Sequence, residues 1–121
     1  MFTIDKAYAI TIVAGDEGSF TYRLWADQDK TIPVDFTDYS FILRVARAPA
    51  AGATKLPPVV LTLSQGNGVS INGETVEFRF LEEHTKNMPT GSHIYQVEMR
   101  KNGGQPDTII NSTLELIPAL N

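Results

Sequence analysis

The sequence predicts an all-β fold, an immunoglobulin-like β-sandwich of seven to eight antiparallel strands. Three observations carry this. Apolar and polar residues alternate along most of the chain, turn signals interrupt the alternation at roughly regular intervals, and no long helical pattern intervenes. The Cys–Trp–Cys signature of antibody domains is missing, so the reading is of sandwich architecture alone. A small barrel or jelly roll is the alternative.

Each element has its own pattern. Tyr8, Ile10 and Ile12 alternate with Ala9 and Thr11 until Gly15-Asp16-Glu17-Gly18 breaks the run. Phe20, Tyr22 and Leu24 stand opposite Thr21 and Arg23. Tyr39, Phe41, Leu43 and Val45 stand opposite Ser40 and Arg44. Residues 46–58, rich in Ala and Pro, read as a long connection or edge crossing, and Val59, Leu61 and Leu63 follow them. Asn72-Gly73 predicts a hairpin, because both residues tolerate the positive φ that a type I′ turn requires. Val76, Phe78 and Phe80 then face away from Glu77 and Arg79. Residues 82–87 predict one helical turn stopped by Pro89. Tyr95, Val97 and Met99 oppose Gln96, Glu98 and Arg100. Residues 101–107 form a looser hairpin loop, and Ile110, Leu114 and Leu116 share a face with Ser112 as the polar exception. One apolar and one polar face per strand is the pattern of antiparallel sheets packed on one side.

Composition bounds the rest. A chain of 121 residues suits one domain, residues 1–121, and its 42% hydrophobic content can fill a core without metals or disulfides. The absence of cysteine excludes disulfides, thiolate zinc sites and a cysteine nucleophile. It also favours folding in a reducing compartment. A net charge of −4 argues against a partner bound through phosphate neutralisation, so nucleic acid is not expected. The N-terminus has no signal-peptide pattern, and no apolar run approaches the ~20 residues that span a bilayer, so no membrane partner is expected. Asn111-Ser112-Thr113 matches the glycosylation triplet, which means little without a leader.

Candidate chemistry is sparse. Asp27-Gln28-Asp29 opens like a calcium loop, but Ile32 and Asp38 stand where an EF-hand needs Gly and a bidentate Glu. Glu82-Glu83-His84 reads as a polar helical turn, since consecutive residues rarely converge on one ion. His93 shares the face of Tyr95 and Val97 and reads as a strand-end residue bordering the core. Asp35 and Asp38 are close in sequence, with nothing to place them across a cleft. There is no Gly-x-Ser-x-Gly elbow, and Gly66-Asn67-Gly68 is too short for a phosphate loop. An enzyme is therefore not expected, nor any cofactor or bound metal. Trp25 is out of phase with the expected core. Together with Phe36 and Tyr39 it forms the candidate contact surface.

The order of the turn motifs carries a resemblance. Gly15-Asp16 is followed by Pro33-Val34-Asp35-Phe36-Thr37-Asp38 and by Arg44 on the next strand. Met88-Pro89-Thr90-Gly91, Tyr95-Gln96-Val97, Thr108-Ile109 and Leu114-Glu115-Leu116 come later. In this order the series resembles the immunoglobulin-like domain at the N-terminus of phage baseplate upper proteins and related prophage tail proteins, across nearly the whole chain. Phe36 stands where the pattern has Leu, Asp38 where it has Gly, and Thr90 is an insertion.

In physical terms Pro33 sets φ before a strand, Asp35 and Thr37 tie a turn by side-chain hydrogen bonds, Gly91 relieves a corner, and Tyr95 is placed to cap it. The resemblance implies a structural protein of the virion, associated with the tail or baseplate. It would be made in the host bacterial cytoplasm and would act through contacts with other virion proteins and with copies of itself. Because the chain ends at Asn121, a stand-alone component is expected. Edge strands and residues 46–58 are the expected contact regions. A carbohydrate-binding module using Trp25 and the nearby aromatics is the alternative function.

Overall fold

The computed structural model describes residues 3–4, 9–55 and 57–120, the first two as backbone only. The elements in order are β1 (Thr3–Ile4), β2 (Ile10–Val13), β3 (Gly18–Tyr22), β4 (Leu24–Trp25), β5 (Tyr39–Arg47) and β6 (Val59–Gln65). They continue with β7 (Gly68–Asn72), β8 (Thr75–Phe80), α1 (Glu82–Asn87), β9 (Gly91–Lys101) and β10 (Pro106–Ile117). Tyr8, the first residue of the first alternating set, lies outside the described residues. Among the described residues no helix is long and apolar enough to cross a membrane.

Eight strands form one hydrogen-bonded ribbon in the order β2-β10-β9-β5-β6-β7-β8-β3, and β1 pairs with β4 separately. The ribbon is folded over on itself. Tyr22 on β3 and Tyr95 on β9 share a buried hydroxyl–hydroxyl hydrogen bond of 2.7 Å. Phe41 on β5 lies 6.3 Å from Phe78 on β8, and Phe20 on β3 lies 6.0 Å from Tyr95. Strands so far apart in the ribbon meet only if β2, β10, β9, β5 and β6 form one layer and β7, β8 and β3 the other. This is an immunoglobulin-like sandwich, with β3, β5 and β9 in the places of strands B, C and F. The Tyr22–Tyr95 bond thus spans the layers between the two strands that a disulfide joins in antibody domains, and a net hydrogen bond of this kind contributes about 1 kcal/mol. Tyr95 was expected to cap a corner of its own strand. Its position in the middle of β9 gives it this bond across the core instead.

The fold-over occurs at the β6–β7 turn. Ser64 and Asn67 exchange both backbone hydrogen bonds, at 3.0 and 2.8 Å, and only two residue pairs, Ser64↔Gly68 and Gln65↔Val69, link the strands. Gly68 has φ +94°, and a Cβ there would lie 2.8 Å from Leu63 Cδ2 and 2.9 Å from the Arg79 carbonyl oxygen. The Gly66-Asn67-Gly68 run is the bend that joins the layers.

The period-2 alternation translates directly into the core, because successive side chains on a strand point to opposite faces. Phe41, Leu43 and Val45, Val76, Phe78 and Phe80, Tyr95, Val97 and Met99, and Ile110, Leu114 and Leu116 are all buried. Each large apolar side chain so buried contributes roughly 1.5–3 kcal/mol. One set departs from the pattern. Leu63 is fully buried, but Val59 is 50% exposed. The register runs Val45↔Leu61 and then Ala46↔Val59, which leaves Val60 as an extra residue on β6. Such a bulge turns the strand and breaks its alternation.

Two further expectations change. All strands were expected to pair antiparallel, but β2 runs parallel to β10, with Leu114↔Ile10 and Leu116↔Ile12 in register, and the short β6–β7 contact is parallel as well. Alternation reports which face a residue takes and says nothing of chain direction. The hairpin between β7 and β8 is present, yet Asn72 pairs with Thr75, so Gly73 and Glu74 are its central residues. Gly73 has φ +61° and Glu74 is not among the positive-φ residues, the sign pattern of type II′ and not type I′. The predicted helical turn is α1. Its buried Thr85 hydroxyl accepts from the Gly15 N–H at 3.0 Å and donates to the Asp16 carbonyl at 2.8 Å, pinning the first predicted turn to the helix.

Candidate contact surface

The three aromatics expected to form one surface take three different positions. Phe36 is fully buried, packed edge-on against Phe41 at 5.0 Å, and its N–H donates to the Gly73 carbonyl at 2.8 Å. It offers no surface, which corrects the expectation. A Phe between two turns is drawn into the open end of the sandwich because burial of its ring outweighs any contact it could make outside. Tyr39, at the start of β5, is half-buried and lies 6.4 Å from Phe36. Trp25 is also half-buried. Among the described residues no ring contact joins it to Phe36 or Tyr39, and its buried Nε1 has no hydrogen-bond partner. The aromatic cluster behind the carbohydrate reading is therefore not assembled.

The loop after Trp25 is held by Asp27. Its carboxylate accepts from the Thr31 N–H at 3.0 Å, the Ile32 N–H at 3.0 Å and the Thr31 hydroxyl. Residues 32–34 then return alongside β4, with Ala26 N–H on the Ile32 carbonyl and Val34 N–H on the Leu24 carbonyl. The calcium-like Asp27-Gln28-Asp29 is thus a self-tied turn. Asp35 acts as expected, accepting from the Thr37 N–H at 2.9 Å and from the Thr37 hydroxyl. The Thr31 hydroxyl holds the Asp27 carboxyl, and the Thr37 hydroxyl the Asp35 carboxyl, below their ordinary value of 3.8.

The histidines are local. The His84 ring accepts from the Leu81 N–H at 3.0 Å and caps α1. His93 is buried beside the core, with Nδ1 3.0 Å from the Gly91 carbonyl and Nε2 enclosed without a partner among the described residues. Among the described residues no three His, Asp or Glu side chains come close enough to hold a metal. Glu82 and Glu83 share a shallow, open depression of about 330 Å³ with Glu17, Leu81 and Lys86.

The outer face of β5, β9 and β6 presents a different surface. Arg44 and Glu98 form an ion pair of 2.6 Å at its centre. Beside it, Pro57, Val59, Ala46, Ile94 and Gln96 line a depression of about 100 Å³. Val59 and Val60, 50% and 37% exposed, carry this apolar surface out to the edge of the sheet. These residues adjoin the predicted 46–58 contact region, of which the connection between β5 and β6 occupies 48–58. The extension onto Val60 and Thr62 went unread, although a signal was present, since no charged residue occurs between Lys55 and Glu74.

No protein-family model and no curated protein matches the chain. Solved structures resemble it in fold. The PmoD soluble domain from Methylocystis sp. aligns over 95% of this chain and 88% of its own at 15% identity and a TM-score of 0.44. Murine CRIg aligns over 99% of both chains at 6% identity and a TM-score of 0.40. The SrpA adhesin of Streptococcus sanguinis aligns over 97% of this chain and 57% of its own at 13% identity and a TM-score of 0.46. The immunoglobulin-like β-sandwich itself rests on the strand order and the contacts between its layers.

Proposed function

We propose that this chain is a non-enzymatic structural protein of a phage or prophage, associated with the tail or baseplate and acting through protein–protein contacts in the virion. The observation that carries the contact role is the uncharged, exposed apolar surface of Val59 and Val60 beside the Pro57–Ile94 depression. Exposed apolar area of this kind on an edge strand is a liability in a free protein and an asset in an assembly. The virion role is supported by the ordered motif series of the sequence. Two of its turns serve the fold as expected, since Asp35 and Thr37 tie one and Gly91 holds φ +113° at the other, while Tyr95 bonds across the core instead of capping a corner.

Quantitative mass spectrometry of gradient-purified particles from the encoding strain tests the reading. The chain is expected at a fixed copy number per particle, in a multiple set by the symmetry of the tail. Its absence from particles that contain all other tail proteins would contradict it.

A further inference from the structure

We infer that Asn102 is a site of spontaneous covalent modification, where ring closure onto the Gly103 nitrogen converts the asparagine to aspartyl and isoaspartyl forms. This chemistry is independent of the contact role proposed above.

The reaction needs an asparagine followed by an unhindered backbone nitrogen. The Gly103 nitrogen bonds to Asn102 Cγ, its proton departs, and the side-chain nitrogen leaves as ammonia. The cyclic imide then takes up a water. Opening at Cγ gives aspartate. Opening at the backbone carbonyl carbon gives isoaspartate, whose main chain runs through the side-chain carbons. Glycine is the favoured follower because no Cβ blocks the approach and its φ is permissive.

Three steps of this kind occur, Asn67-Gly68, Asn72-Gly73 and Asn102-Gly103. All three asparagines are exposed, so exposure does not choose between them. The choice lies with the peptide group that joins each pair. It must rotate about the Asn Cα–C bond to bring its nitrogen to Cγ, and a hydrogen bond on its carbonyl opposes that rotation. The Asn67 carbonyl accepts from the Ser64 N–H at 3.0 Å. The Asn72 carbonyl accepts from the Thr75 hydroxyl at 3.1 Å within the β7–β8 ladder, and the Phe36 N–H holds the Gly73 carbonyl at 2.8 Å.

Asn102-Gly103 is different. Among the described residues no hydrogen bond reaches the Asn102 carbonyl, its side-chain amide or the Gly103 N–H. The segment is held on either side of the moving group instead. The Asn102 N–H donates to the Asp38 carbonyl at 2.9 Å, and the Gly104 N–H donates to the Lys101 carbonyl at 2.7 Å. The second bond closes a β-turn with Asn102 and Gly103 at its centre, and Gly103 at φ +78° gives it the type II sign pattern. Types I and II differ by a flip of that central peptide, so it can rotate while the closing bond stays. The product carboxylate adds negative charge to a chain of net charge −4, beside Asp38, and the isoaspartyl form lengthens the connection between β9 and β10.

Incubation of the folded full chain at mildly alkaline pH, followed by peptide mass spectrometry, tests this. Residue 102 is expected to exchange ammonia for water ahead of residues 67 and 72, with aspartate and isoaspartate both present. One opposing hydrogen bond slows the step by about fivefold, so residue 102 should lead by that factor or more. In concentrated guanidinium chloride, where no turn is held, the lead is expected to collapse. Asn102→Gln closes a ring far more slowly and is expected to remove the early acidic band that isoelectric focusing shows for the unaltered chain. Earlier conversion at residue 67 or 72, an undiminished lead in denaturant, or an early acidic band that survives Asn102→Gln would each overturn the proposal.

Discussion

At Gly68 the backbone needs φ +94°, and a Cβ would sit 2.8 Å from Leu63 and 2.9 Å from the Arg79 carbonyl. One of these neighbours is backbone and cannot rotate away. Gly68→Ala is therefore expected to cost roughly 2–4 kcal/mol from φ strain and overpacking together, read as a fall in the urea midpoint. Gly73→Ala, where nothing lies within 4 Å, carries only the φ penalty and serves as the control. The glycines were visible in the sequence, but the demand on Gly68 was not, because it arises from Leu63 and Arg79 packing over it. The carboxylates of Asp27 and Asp35 make a second residue-scale prediction. Both titrate lower in the folded chain, owing first to the Thr31 and Thr37 hydroxyls. Their contribution to stability is complete above the unfolded value near 3.8 and is lost as pH falls through the folded values. Unfolding titrations between neutral and strongly acid pH should show stability declining in that window, and the double variant Asp27→Asn with Asp35→Asn should decline less.

Elements behave as their local patterns dictate where one layer of contacts decides, and depart where two do. β8 and β9 follow the alternation along their length, β10 follows it from Ile110 onward, after a register shift at Ile109, and α1 begins and ends where residues 82–87 indicated. β6 does not, because the extra residue at Val60 shifts its start outward, and a bulge leaves no mark in a hydrophobic pattern. The β7–β8 turn shifts by one residue because pairing of Asn72 with Thr75 extends the ladder and leaves Gly73 the first central position. α1 is joined to the rest through Thr85, whose hydroxyl serves both Gly15 and Asp16. Thr85→Val keeps the shape and removes both bonds. It is expected to cost about 1 kcal/mol by removing the hydrogen bond to the part-buried Gly15 N–H, and to speed amide exchange in residues 14–17 more than in β9.

At the scale of the whole molecule, the sandwich was legible because alternation and turn spacing jointly leave few other ways to bury one face of every strand. The candidate surface was legible only in part. Phe36 reads as a loop aromatic in sequence, and only the closure of the two layers shows that it plugs their open end. Residues 46–58 lead onto the side that carries the apolar depression, whereas the exposed edge of β6 depends on which strand stops short of covering it. The layer of β2, β10, β9, β5 and β6 carries the Arg44–Glu98 pair and the apolar depression together on one side of the sandwich, the side that the proposed contact role would use. Electron cryomicroscopy of purified particles tests this most directly. The account predicts sandwich density in the tail or baseplate, in a symmetric array, with the apolar surface of Val59 and Val60 against a neighbouring virion protein. Particles without that density, or with that surface facing solvent in every copy, would contradict it.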